Sequence, residues 1–136
     1  MQHPKLEELA RRDPRYAVEA YEFVFAALAH TLRRLGRTPP GGAGPWEGGH
    51  VSVAELLDGA RDLALRDYGL LARAVLRAWG VNSTDDLGEV VFNLVEAGLM
   101  DPHAADDRRG FHDAFDLDQA LLQGYRIPAD DPEGTP

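Results

Sequence analysis

Apolar residues at Ala17, Tyr21, Val24, Leu28, Leu32 and Leu35 recur every three or four positions, the spacing that lays a stripe along one face of a helix. The pattern predicts a long helix over residues 14–35, widened by Phe23, Phe25 and Ala27 and therefore central. Gly36 supplies its stop. Before it, "PKLEELARRD" reads as a short helix with Leu6, Leu9 and Ala10 on one side. It closes at Asp13, a candidate cap, ahead of Pro14, which suits a first helical turn.

After "GHV", Ser52 and Glu55 have the spacing of a capping box. The serine oxygen accepts a free backbone N–H while the glutamate reaches back to the cap. Val53, Leu56, Leu57, Ala60, Leu63, Ala64 and Tyr68 then follow at helical spacing up to Gly69. "LLARAVLRAWG" continues as another helix with Leu71, Val75, Ala78 and Trp79 inward, ended by Gly80. In the next segment Ser83 or Thr84 can cap, and Asp85 and Asp86 fall in the first turn, where negative charge suits the helix dipole. Leu87, Val90, Val91, Leu94 and Val95 form its apolar face. Past Gly98 the periodicity ceases. Two readings fit residues 99–122: short strands around a polar turn, or a loop leading to a last short helix capped by Asp116 or Asp118.

These elements predict a mainly α fold. Their order matches a winged-helix-like domain, in which a strand at residues 50–52 pairs with a short β-hairpin made from 99–101 and 114–117. The helix at 84–97 would then take the recognition position. A plain five-helix bundle is the alternative. Residues 1–126 are expected to form a single helical domain. Within it, the stretch 37–49, "RTPPGGAGPWEGG", is too rich in Pro and Gly for a helix or a central strand and reads as a flexible loop in which Trp46 is a hydrophobic anchor, the preferred reading, or an exposed contact residue. Residues 127–136 have little to bury and are expected to form a disordered acidic tail.

Three segments, "YAVEAYEFVFAALAHTLRRLG", "HVSVAELLDGARDLALRDYGLLARAVLRAWGVNSTDDLGEVVFNLVEAGLM" and "FDLDQAL", resemble a family of small bacterial cytosolic proteins with no known activity. The resemblance covers residues 16–122 and implies a bacterial cytosolic protein, with no site residue to carry over. Against that family the Pro/Gly-rich loop looks like an insertion relative to a shorter link, which argues against an active site in it.

Composition narrows the function classes. The chain has no cysteine, which excludes disulfides, thiolate metal sites and cysteine nucleophiles. No apolar run approaches the roughly 18 residues that cross a bilayer. The charged start, "MQHPKLEELARRD", lacks a signal-peptide cleavage pattern, so the cytoplasm is the expected compartment and no membrane partner is expected. Net charge is −9, but it is unevenly spread. Residues 1–80 hold eleven Lys/Arg against ten Asp/Glu (+1), whereas residues 81–136 hold three against thirteen (−10).

That asymmetry governs the candidate sites. Asp85, Asp86 and Glu89, with no Lys or Arg on their helix, should repel a phosphate backbone and favour a basic protein partner. Arg61, Arg66, Arg73 and Arg77 form the one candidate nucleic-acid patch, with Arg73 and Arg77 on an exposed side. Asp58, Asp62 and Asp67 interleave with them, which favours intramolecular ion pairs over direct nucleic-acid contact. "MDPHAADDRRGFHDAFDLD" gathers imidazoles and carboxylates, and His103, Asp106, Asp107 and His112 are the candidate metal ligands. Pro102 and Gly110 make the segment a turn, however, whereas i, i+4 ligation needs a helix, so a solvated acidic loop is the preferred reading. His30 borders the long helix's stripe and is expected to be a packed residue. Ser52 and Ser83 read as caps, outside any Gly-x-Ser-x-Gly elbow, and "GGAG" lacks the ending of a phosphate-binding loop. No cofactor is indicated. The expectation is a non-enzymatic interaction module, with a small metal-dependent protein and a nucleic-acid binder as alternatives.

Overall fold

The computed structural model describes residues 4–36, 51–100 and 108–122, and the elements in it are helical. They are α1 (Pro4–Arg12), α2 (Val18–Arg34), α3 (Val53–Tyr68), α4 (Ala72–Ala78), α5 (Thr84–Glu96) and α6 (Leu117–Leu122). Single 3-10 turns lie at Gly69–Leu71 and Arg108–Phe111. No strand occurs among the described residues. Val51, Ser52, Leu99, Met100 and 114–116 carry none, and Leu117 already begins α6, so the β-hairpin is not formed by them. The fold class is mainly α. The Pro/Gly-rich loop with Trp46, the acidic tail and residues 101–107 lie outside the described residues.

The apolar stripe places α2 at the centre. Tyr21, Val24, Ala27, Leu28 and Leu32 are buried, and α2 packs most extensively on α3, then on α5 and α1. Its last predicted position, Leu35, is instead exposed, just before Gly36 closes the helix with φ +68°. The α2–α3 contact is close because Gly59 faces Thr31. A Cβ at residue 59 would lie 1.8 Å from Thr31 Oγ1, which itself donates to the Ala27 carbonyl at 2.7 Å. His30 is packed here as expected, 5% exposed and 2.8 Å from Asp62 through Nε2.

Local signals set several ends correctly. Ser52 Oγ accepts from Glu55 N–H (3.0 Å) and Glu55 Oε1 from Ser52 N–H (2.8 Å), completing the capping box. Ser83, rather than Thr84, caps α5; Thr84 is fully buried and its hydroxyl accepts from Ala114 N–H at 3.0 Å. Asp116, rather than Asp118, caps α6 by accepting from Asp118 and Gln119 N–H. Burying Leu117 and Leu121 lets so short a helix hold its place, since an isolated turn or two is unstable in water.

Two elements depart from the sequence pattern. α2 begins at Val18, four residues later than Pro14, because the intervening turn is committed to other contacts. Tyr16 is buried, and Ala17 N–H donates across the molecule to the Trp79 carbonyl at 3.1 Å. The face of α4 is also rotated. The 3-10 turn at Gly69–Leu71 changes the helical phase, so Ala72, Arg73 and Leu76 point inward while Leu71 is 67% exposed. Ala78, predicted inward, is exposed, and Val75 and Trp79 are half-buried. Buried side chains from α1 to α6, with Tyr16, Val81, Met100 and Phe111 between them, form one hydrophobic cluster.

Candidate functional site

The first two turns of α5 deliver the three expected partner-binding carboxylates, Asp85 and Asp86 in the first and Glu89 in the second, and each meets a group of this chain. Asp85 Oδ1 lies 2.9 Å from His112 Nδ1, and its Oδ2 accepts from Asp113 N–H at 3.4 Å. The Asp86 carboxylate accepts from Tyr16 Oη (2.6 Å) and Asn82 N–H (2.8 Å), and the Asp86 backbone N–H donates to Ser83 Oγ (3.3 Å). Glu89 is 3.5 Å from Arg15 and 43% exposed. Asp86 thus ties the turn before α2 to α5, Asp85 holds the turn after Phe111, and Glu89 is the most weakly held of the three. The clasp around Phe111 is completed by Gly88, where a Cβ would come within 2.7 Å of that ring, and by Phe92 edge-on at 5.7 Å.

Asp13 does not cap a helix. Arg15 grips it with two hydrogen bonds of 2.8 Å, and Asn93 Nδ2 donates to it at 2.9 Å while also reaching Tyr21 Oη at 3.1 Å. The Arg15 hydrogen bond holds the Asp13 carboxyl well below the usual carboxylate range, against the upward push of burial. Burial chiefly, then the bond to Asp86, raises the Tyr16 hydroxyl. A carboxyl with a depressed folded-state pKa contributes stability that is present above its unfolded value, about 3.9, and is lost as pH falls through the folded value. Asp62, lowered by its hydrogen bond to His30, acts in the same direction. Asp13→Asn is therefore expected to be less stable than the parent at pH 7, with the gap in urea midpoint closing as pH falls towards about 2. A gap independent of pH would contradict this origin.

The arginine patch is not assembled. Arg73, expected on an exposed side, is 7% exposed; its guanidinium pairs with Asp118 and donates to the Val81 and Asn82 carbonyls at 3.3 and 3.4 Å. Arg61 lies 3.9 Å from Asp58, and Arg34 reaches Asp58 and Asp62 at 3.4 and 3.9 Å. Arg66 and Arg77 are exposed. Of the candidate metal ligands, His112 is paired with Asp85, and His103, Asp106 and Asp107 lie outside the described residues. Among the described residues no group of three or more His, Asp or Glu is placed to hold a metal ion.

The structure also brings together a site that the sequence pattern missed. Where α2, α3 and the end of α4 meet, Phe23, Tyr68 and Trp79 floor a groove of about 220 Å³. Trp79 is the hub: its ring lies 5.8 Å from Phe23, tilted by 49°, and 5.8 Å from Tyr68, edge to face at 82°. Glu19, Glu22 and Asp67 line the same groove, and no basic residue does among the described residues. In contrast to the α5 carboxylates, these three take no part in the ion pairs among the described residues. The available signal was the run Glu19, Glu22, Phe23, Ala26 at helical spacing. It becomes a site only once α3 sets Asp67 and Tyr68 opposite. A second cleft, about 240 Å³ and lined by Leu9, Arg12, Asp13, Asn93 and Glu96, has its central polar groups, Asp13 and Asn93, already bound to each other. No described helix is long and apolar enough to cross a membrane. Comparisons with protein-family models, with curated proteins and with solved structures gave no match for this chain.

Proposed function

We propose that this chain is a non-enzymatic, cytoplasmic interaction module whose acidic surface, with Asp85, Asp86 and Glu89 of α5 at its centre, docks a basic protein partner. The observation that carries the reading is that four of the arginines are occupied within the chain. Arg73 is turned inward, and Arg15, Arg34 and Arg61 lie against carboxylates of the chain itself, while the chain as a whole retains a net charge of −9. The field left for a partner is negative, which steers cationic surfaces in and phosphate backbones away. Asp86 acts from within, by fixing the start of α5; Glu89 and Asp85 offer half-exposed oxygens that a partner's lysine or arginine can share with Arg15 and His112.

Calorimetric titration with a lysine- and arginine-rich peptide, and separately with a DNA duplex, tests this. The peptide is expected to bind with an affinity that falls with salt, and the duplex not to bind. Glu89→Lys should weaken the peptide several-fold, whereas Glu8→Lys on the exposed side of α1 should not. Equal effects of the two substitutions, or tighter binding of the duplex, would overturn the proposal.

A further inference from the structure

We infer that the groove between α2, α3 and Trp79 is a binding site for a single cationic side chain, a lysine ammonium or an arginine guanidinium, projecting from that basic partner. This rests on the reading of the chain as a module for basic proteins and gives it a specific contact. Two properties of the groove, each insufficient alone, select the same ligand. Its floor is aromatic, with Trp79 and Tyr68 partly exposed above the buried Phe23 ring, and an aromatic face attracts a cation within about 6 Å through its quadrupole. Its rim is acidic: Glu19 and Glu22 come from α2 and Asp67 from α3, so carboxylates stand on opposite banks.

Alternative occupants fit less well. A neutral apolar segment would cover three carboxylates and leave them with fewer water contacts and no counter-charge, which is costly. An anion would meet negative charge from both sides. A long basic side chain satisfies both surfaces at once, laying its methylene stem along the rings and presenting its charge to the rim. The volume of about 220 Å³ accommodates one such side chain. The rings are also pre-positioned. Trp79 is fixed by its packing on Phe23 and Tyr68 and by its own carbonyl, which accepts from Ala17 N–H, so little ordering is required on binding.

The test follows the Trp79 indole N–H resonance by heteronuclear NMR, distinguished from that of Trp46 with a Trp46→Phe variant. The titrants are a peptide bearing one arginine among neutral residues, its lysine counterpart and a glutamine control. The basic peptides should shift the Trp79 signal and the control should not. In Glu22→Gln/Asp67→Asn, surface changes that leave the rings in place, the lysine- and arginine-rich peptide should bind about tenfold more weakly. If that double variant binds it as tightly as the parent while Glu89→Lys weakens it, the groove assignment is wrong and the acidic-module reading stands. If the double variant weakens binding and Glu89→Lys does not, the groove is supported and the α5 surface is not the docking face. Absence of any binding to the parent chain overturns both.

Discussion

Replacing Gly80 by alanine is expected to destabilise the chain by about 3 kcal/mol or more, a loss at the upper end of what one methyl group can cause. Gly80 has φ +95°, where an L side chain is strained by roughly 1–2 kcal/mol. Its added Cβ would also stand 1.9 Å from the Arg15 carbonyl oxygen. That neighbour is backbone, so relief requires moving the turn that carries Tyr16 and the Ala17–Trp79 hydrogen bond. Gly36→Ala provides the control. Residue 36 has a comparable φ of +68° with none of the described residues within 4 Å of its added Cβ, and its substitution should cost only the conformational part. Urea denaturation of the two variants separates strain from collision; equal losses would show that the close approach at Gly80 is unimportant.

The second large effect is expected at Arg73, and it should be lopsided. Arg73→Ala should cost about 2–4 kcal/mol, because it removes a buried stem from the core and leaves the Val81 and Asn82 carbonyls without their donor. Asp118→Ala should cost about 1 kcal/mol or less, since Asp118 is 58% exposed and water can take its place beside the guanidinium's outer edge. If the two losses are equal, Arg73 acts only through the ion pair. If Arg73→Ala is the milder, its burial contributes little and the rotated face of α4 has no energetic consequence.

What the sequence made legible was decided by whether a signal was local. The stripe on α2, the apolar positions of α3 and α5, the Ser52–Glu55 box and the burial of His30 are properties of residues within a few positions of one another, and they recur in the structure. The failures are tertiary. Pro14 suits a helix start, yet the burial of Tyr16 and the capture of Asp13 by Arg15 and Asn93 outweigh that preference. An apolar Leu71 suggests an inward face. One 3-10 turn before α4 was enough to expose it and to bury an arginine instead. The expected hairpin is absent from the described residues for a related reason. Phe111 is held by Gly88 and Phe92, and Ala114 by Thr84, so the segment before α6 packs against α5 rather than pairing as a strand. Asp85, Asp86 and Glu89 were conspicuous as charges, but their His112, Tyr16 and Arg15 neighbours lie 27, 70 and 74 residues away. The aromatic groove joins side chains from α2, from α3 and from the residue that follows α4, and has no counterpart in any one stretch of sequence.

The hydrogen bond from Ala17 to Trp79 gives the molecule a built-in gauge of its own opening. Amides at the start of a helix ordinarily exchange with solvent as the end frays, because they have no acceptor within the helix. Ala17 N–H, at the N-cap of α2, instead has its acceptor 62 residues along the chain. Its exchange rate therefore registers separation of the α1–α2 turn from the end of α4, an event distinct from fraying and otherwise invisible to helical content.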